Sequence, residues 1–545
     1  MTHFPTRSEF RSLARKWRIV PVWREVLADL TTPVAAYCRV VGDAQGFLLE
    51  SVDHHGQWSR WSFVGRNPIA TLISHGKNVR VVGELGIDVP LDKGILAALD
   101  VVVDYYHVPP IDGLPPLHSG LVGYLGHDIV REVEYLPEMP PDDLGYPDAV
   151  MSIIGDVAAY DHALQKAILI SNVMIPHSEA GAPDDSVLDE LYDEGIACVD
   201  AIAADGARPL HEPVLTPIAK STDVDDSGNG DNSVSSEADA HVNSSNTTAV
   251  KDNLEDLQDL GVTSTFGVKL YSQAVEAAKE YMRAGDIFQV VLSQRFSFDL
   301  KAEAFNVYRA LRQVNPSPYM YYLRLTDLEV VGGSPEPMVK LVDGKLTTWP
   351  TAGSRWRGRT EEEDERLEAE LLEDPKDLAE HVMLVDLQRN DLGRVVEFGT
   401  LDVPNLMVIK KFSHVMHIAS EVTGRLATQS SVVDALRATL PAGTVSGAPK
   451  VRALEIIDEL EPLKRVPPYA GLVGYLDFSG NMDTALSIRT MTVRRGRASV
   501  QAGAGLVVDS VPELEHNECV NKATALMVAA RAARNLKKPF VIQDS

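Results

Sequence analysis

Apolar positions along this chain alternate between short β-branched runs and longer helical stripes. Runs such as Ala149-Val-Met-Ser-Ile-Ile154 and Lys166-Ala-Ile-Leu-Ile-Ser171, bounded by turn residues, predict strands. Leu270 to Arg283 predicts a helix, and two further helices follow around Asp377–Arg394 and Glu515–Ala523. Strand–turn–strand segments outnumber clean strand–helix–strand units. That predicts an α+β fold with large antiparallel sheets rather than a doubly wound one. Gly120-Leu-Val-Gly-Tyr-Leu125 recurs as Gly471-Leu-Val-Gly-Tyr-Leu476, which points to related strands in the two halves.

Acids interrupt this pattern at two places. Asp377/Glu380 and Glu515/Glu518 each stand three residues apart on a helix, so each pair shares one face. Surface acids normally lie opposite the apolar stripe, yet Asp377 and Glu380 continue the stripe of Leu384 and Leu387. Carboxylates pointed inward need a cation, and two such pairs can hold one hard divalent ion. An isolated pair of this kind is most often a solvated face. The inward placement argues otherwise here.

One composition break divides the chain. From about 213 to 262 it is acidic, rich in Asp, Ser and Asn, without aromatic residues and with its aliphatic ones scattered. Such a stretch buries too little surface to offset its ordering entropy, so a linker or long surface loop is expected. Regions 1–212 and 263–545 flank it. Asp223-x-Asp225-x-Ser227-Gly228 begins like a calcium loop, but Val234 stands where the bidentate acid belongs. The 545 residues carry a net charge of −27, which argues against nucleic-acid and anionic membrane partners. Three cysteines without CxxC spacing fit a reducing compartment and exclude a thiolate zinc cluster. With no secretory h-region and no bilayer-length apolar run, a cytoplasmic location is expected.

Glycine-rich segments fail both nucleotide fingerprints. Gln501-Ala-Gly-Ala-Gly505 lacks the third glycine and the following helix, and Leu440-Pro-Ala-Gly-Thr-Val-Ser-Gly-Ala-Pro-Lys450 has Ala-Pro where a P-loop needs Gly-Lys. Both leave backbone N–H groups able to approach a carboxylate, with ordinary tight turns as the bland alternative. His414 and His417 sit in a strand-like segment where a structural role is commoner than a catalytic one. The charged run from Glu361 to Glu368 reads as a solvated helix face.

From about Phe266 to Leu536 the motifs line up in order with the chorismate-utilising enzymes. They include Gly285-Asp-Ile-Phe-Gln-Val-Val291, Asn315-Pro-Ser-Pro-Tyr-Met320, Gly333-Ser-Pro-Glu336, Pro350-Thr-Ala-Gly-Ser-Arg355, Glu380-His-x-Met-Leu-Val-Asp386, Ile488-Arg489 and Glu515 to Ala523. Phe47-Leu-Leu-Glu-Ser51 and Arg60-Trp-Ser-Phe-Val-Gly65 narrow the resemblance to the anthranilate synthase large-subunit family. It implies a sandwich of antiparallel sheets flanked by helices, with the catalytic site in 263–545.

Two positions choose among family members. Water-adding members resemble each other in a lysine where this chain has Gln289, because water needs a general base. Members making 4-amino-4-deoxychorismate resemble each other in a nucleophilic lysine at the Ala352 position. Ammonia added directly at C2 of chorismate is therefore implied. Pro350-Thr-Ala-Gly-Ser354 and Asp377 depart from the family's usual Pro-Ile-Ala-Gly-Thr and Glu.

The resemblance assigns Glu380 and Glu518 as Mg²⁺ ligands, with Asp377 and Glu515 behind them, Asp377 acting through water. Glu336 becomes the general acid and His417 the group for pyruvate elimination. Gly353, Ser354, Thr444, Tyr469, Arg489, Gly503, Ala504, Gly505 and Lys522 become the substrate cradle. Glu50, Ser51, Pro318, Tyr319 and Met320 resemble the family's tryptophan-binding elements, and feedback inhibition of this first step of tryptophan biosynthesis is implied. No cysteine here sits in an amidotransferase elbow. A separate glutamine amidotransferase subunit, in a two-plus-two heterotetramer, is implied as the source of ammonia. The nearest rival is an enzyme that stops at 2-amino-2-deoxyisochorismate. A rival of another class is a non-catalytic acidic binding or regulatory protein, which the intact Glu336, Glu380, His417, Arg489 and Glu518 oppose.

Overall fold

Two large antiparallel sheets stack face to face with helices on their outer sides. The structure, a computed structural model, describes residues 2–51, 60–178, 181–211, 258–411 and 415–541. Most of the 213–262 segment therefore lies outside the described residues, as does His414.

Across the first sheet, of twelve strands, the order begins Ile19–Leu27, Lys166–Met174, Asp156–Asp161, Trp61–Arg66 and Gly46–Glu50. It continues through Tyr319–Arg324, Glu329–Ser334, Thr490–Arg494, Arg497–Leu506, Gln289–Asp299 and Thr263–Ser264, with Gly447–Ala448 also on Gln289–Asp299. Across the second, of eleven, Thr351–Trp356, Val415–Arg425, Lys345–Thr348, Pro337–Val342 and Met482–Leu486 come first. Leu472–Asp477, Gly120–Leu125, Ala149–Ile153, Ala70–His75 and Asn78–Gly83 complete that path, and Asp402–Lys411 also pairs with Val415–Arg425.

Each sheet thus draws strands from both sides of the 213–262 segment. Gly46–Glu50 pairs with Tyr319–Arg324, and Gly120–Leu125 pairs with Leu472–Asp477. The composition break separates two stretches of chain, while the sheets run on across it.

Alternation within the strands fills three apolar layers. Tyr321 and Leu323 point between the sheets, whereas Met320 and Tyr322 point under the helices. With both faces covered, no polar alternation survives, which is why these strands read as unbroken apolar runs.

The expected helices form with adjusted ends. Gly267–Ala284 stops at Gly285, whose φ of 85° suits a left-handed cap. Pro375–Gly393 starts on Asp374, which accepts from the N–H groups of Lys376 and Asp377 at 2.9 and 3.2 Å. Pro512–Ala533 continues well beyond Ala523, because Leu526, Met527, Ala529, Ala530 and Ala533 pack beneath the first sheet. Among the described residues no helix is long and apolar enough to cross a membrane.

The repeated hexapeptide proves to be the seam of the second sheet. Its copies are neighbouring strands, with Gly123 opposite Gly474. A Cβ on Gly123 would lie 1.9 Å from the Val150 carbonyl oxygen, and one on Gly474 would lie 2.3 Å from that of Asp483. Glycine is required there by close backbone approach. Gly474→Ala is expected to destabilise by about 1–3 kcal/mol through overpacking. Urea denaturation with an unchanged midpoint would show that the seam yields.

Candidate active site

A cavity of about 680 Å³ opens where both sheets meet the two acid-bearing helices, within the range of small-molecule sites. The helix Pro375–Gly393 lies on the strands Thr351–Trp356 and Val415–Arg425. Its Asp377, Glu380 and Leu384 wall the cavity, as their shared stripe requires. Glu515 and Glu518 approach the same cavity from the helix Pro512–Ala533.

Each acid has found a different local partner. Gln289 Nε2 donates to Glu380 Oε1 at 3.0 Å. Burial nonetheless lifts the Glu380 carboxyl above its ordinary range, and the charges of Asp377 and Glu518 add to the lift. Burial raises Glu515 likewise, although a Ser510 hydrogen bond opposes it. Arg355 Nη1 donates to Asp377 Oδ2 and its Nη2 to Asp374 Oδ2, both at 2.9 Å. Asp377 is therefore tied into an ion pair that its sequence position did not disclose. Lys522 Nζ sits 2.6 Å from Glu518 Oε1 and 3.0 Å from the Gly503 carbonyl oxygen, so it serves the protein's own acid. Among the described residues no three His, Cys, Asp or Glu side chains are gathered tightly enough to hold a metal ion.

Glu336 lies in the short link between Glu329–Ser334 and Pro337–Val342. Burial pushes its carboxyl up to about 7, while Thr444 Oγ1, donating to Glu336 Oε1 at 2.9 Å, draws it back. Thr444 belongs to the single turn Gly443–Val445 of the segment that failed as a P-loop.

Opposite, the His417 Nδ1 lies 2.8 Å from the Gly353 carbonyl oxygen. Burial pushes this imidazole below its ordinary range. Gly353 has φ +67°, and the pairing of Thr351–Trp356 with Val415–Arg425 shifts register between Ala352 and Arg355. The resulting bulge brings Gly353 and Ser354 to the cavity wall, with the Ala352 methyl buried beside them.

Arg489 lines the cavity with φ +50°, and its guanidinium has no hydrogen-bond partner among the described residues. The segment 501–505 is strand rather than turn, forming the end of Arg497–Leu506. Its neighbour Thr490–Arg494 pairs only as far as Val500, so Ala502, Gly503 and Gly505 lie along the cavity beyond that contact. Ala504 faces the helix layer instead. A Cβ on Gly503 would lie 2.7 Å from the Tyr469 hydroxyl. Glycine is needed for Tyr469 to reach the wall.

The five residues matched to a tryptophan site divide. Glu50 is buried and opposite Met320 in the paired strands; it accepts from the Tyr308 hydroxyl and is 3.1 Å from Arg312 Nε. Its charge is already answered from within the protein. The Ser51 hydroxyl is buried without a partner among the described residues. Pro318 and Tyr319 line the main cavity itself, and Tyr319 donates to Asp483 at 2.9 Å.

Sequence reasoning missed Arg355 and Lys376, which also line the cavity. Lys376 could have been found as the cation one turn before Glu380. Arg355 could not, because its aim depends on the bulge.

A model of the chorismate-binding enzyme family matches residues 48–528. Anthranilate synthase component 1 of Acetivibrio thermocellus is 42% identical over 535 residues, covering 98% of this chain and 100% of that protein. Anthranilate synthase component I of Streptococcus pneumoniae superposes with a TM-score of 0.67 at 32% identity, covering 92% of this chain and 99% of that one. The menaquinone-specific isochorismate synthase of Escherichia coli shares the fold, with a TM-score of 0.65 at 16% identity, 96% of this chain and 99% of that one being covered.

A Cβ on Gly505 would lie 2.8 Å from Gln289 Nε2, the end of a flexible side chain. Gly505→Ala is expected to keep stability within about 1 kcal/mol, since alanine suits a strand better than glycine. It should displace Gln289 from Glu380. A crystal structure of the variant with that hydrogen bond still at 3.0 Å would refute the crowding argument.

Proposed function

The chain belongs to the chorismate-binding enzymes, in the anthranilate synthase component I family, and from this we propose how its cavity converts chorismate and ammonia to anthranilate and pyruvate. The observation that carries the reading is Gln289. A neutral amide, spent on Glu380, stands where the water-adding relatives it resembles carry a lysine base. Ammonia needs no such base.

Chorismate carries two carboxylates. The Arg489 guanidinium makes no hydrogen bond among the described residues, although the Glu518 charge acts on it, and it suits the enolpyruvyl carboxylate as a planar fork. Tyr469, Gly353, Ser354 and the backbone of 502–505 bound the ring. Ammonia then bonds to C2 while the C4 hydroxyl departs as water, taking a proton from Glu336. A carboxyl whose affinity is lifted to about 7 still holds that proton at neutral pH. In the second stage C2 loses its proton, the C3–oxygen bond breaks and pyruvate leaves. Neutral His417, held through Gly353, would take the proton.

Four carboxylates face this one cavity, Asp377, Glu380, Glu515 and Glu518. They are the hard oxygen donors that a divalent cation such as Mg²⁺ takes, although among the described residues they are not drawn in around one point without it. Glu380 and Glu515 are raised by burial among like charges, a condition that a cation relieves. Glu380 and Glu518 would hold the ion, with Asp377 and Glu515 outside them. When bound, it supplies charge withdrawal at the ring carboxylate.

Ammonia would come from a glutamine amidotransferase partner in a two-plus-two assembly, in the cytoplasm. Residues 1–212 would add tryptophan control, because Gly46–Glu50 pairs directly with the strand that follows Pro318 on the cavity wall.

The test is incubation with chorismate, ammonium and Mg²⁺, read by anthranilate fluorescence. Wild type should form anthranilate and be inhibited by tryptophan; Glu380→Gln should lose at least about tenfold in kcat, and Ser51→Phe should be active but uninhibited. A non-aromatic aminated product, or full turnover by Glu380→Gln, would overturn the corresponding part.

The acid role also fixes a pH dependence. Glu336 must be protonated to act, so kcat should be full below its pKa and fall as pH rises through about 7. Thr444 lowers that pKa, so Thr444→Val should move the alkaline limb upward. A limb that stays in place in this variant would remove Glu336 from the acid role.

A further inference from the structure

Beneath the cavity floor, out of reach of any substrate, Glu461 and Arg465 form an ion pair in which each side chain is only 2% exposed. Arg465 Nη1 donates to the Val445 carbonyl at 2.9 Å, and Nη2 donates to the Val291 carbonyl at 2.7 Å. Nη2 and Nε also bond Glu461, whose Oε1 in turn accepts from the Ser293 amide at 2.8 Å and its hydroxyl at 2.9 Å. Gln501 closes the ring, donating to Ser293 Oγ at 2.8 Å and accepting from the Val466 amide at 2.7 Å.

We propose that Arg465, anchored by Glu461, is a positioning residue that clamps the Thr444 turn to the Gln289 strand. The inference rests on the roles given above to Glu336 and Gln289. Val445 follows Thr444, and Val291 stands two residues after Gln289, so one rigid guanidinium spans the two backbones that present them. Val291, Val445, Gln501 and Tyr469 all line the cavity, and the guanidinium lies 5.6 Å from the Tyr469 ring centre. A buried ion pair is weak support for stability, because well-packed apolar residues often replace one without loss. What apolar residues cannot do is hold two carbonyls at a fixed separation from inside the floor.

Arg465→Lys tests this, since lysine keeps the charge beside Glu461 but lacks the planar fork that grips both carbonyls. The expected result is a kcat about tenfold lower or worse, with the chorismate KM within about threefold, because misplacement harms the reacting groups more than binding. Glu336→Gln should lower kcat by itself, and combined with Arg465→Lys it should fall no further than the weaker single variant. Multiplicative losses, or a raised KM with unchanged kcat, would overturn the proposal. Hydrogen exchange on the unmodified chain tests it without any variant: Val445 and Ser446 amides should exchange as slowly as those of Val290 and Leu292. Exchange of that turn at surface-loop rates would also overturn it. If Glu336→Gln retained full turnover, the reading of Glu336 would fail, and exchange alone would judge the clamp.

Discussion

Burial lifts the carboxyls of Glu336, Glu380 and Glu515 above their ordinary range, even though each accepts a hydrogen bond, from Thr444, Gln289 and Ser510 respectively. Withdrawal from water outweighs those bonds, and the rest of the cavity is arranged around that imbalance. Arg355 is committed to Asp377 and Asp374, and Lys522 to Glu518. Arg489 lines the same cavity, and its guanidinium makes no hydrogen bond among the described residues. An acidic chain thereby keeps Arg355, Lys376, Arg489 and Lys522 on the wall of one cavity.

The neutral residues matter as much as the charged ones. Gln289 ties its strand to Glu380, and the glycines at 503 and 505 leave the space that Tyr469 and Gln289 occupy. Gln289 is a side chain with no proton chemistry at neutral pH, held by one of the buried acids.

Much of this was legible in the chain. Helical spacing put Asp377, Glu380 and Leu384 on one face, and the cavity lies against it. The hexapeptide echo marked two strands that are neighbours. Other features depend on irregular backbone, which periodicity does not encode. The register shift between Ala352 and Arg355 aims both Gly353 and Arg355, and residues 501–505 looked like a turn because glycine is needed there for close approach, not for bending. Arg465 reads as an ordinary charged residue; only tertiary packing shows that its partners are one carbonyl from the turn Gly443–Val445 and one from the strand Gln289–Asp299, far away in sequence.

The interleaving of the sheets bears on how the molecule is made. Gly46–Glu50 leaves the ribosome long before its partner Tyr319–Arg324, and Gly120–Leu125 before Leu472–Asp477. During synthesis the first half therefore carries open strand edges, apolar on both faces, that nothing yet translated can cover. The first edge stays open until past the middle of the chain and the second until it is nearly complete, so a polypeptide broken off early is an aggregation hazard rather than a smaller working domain.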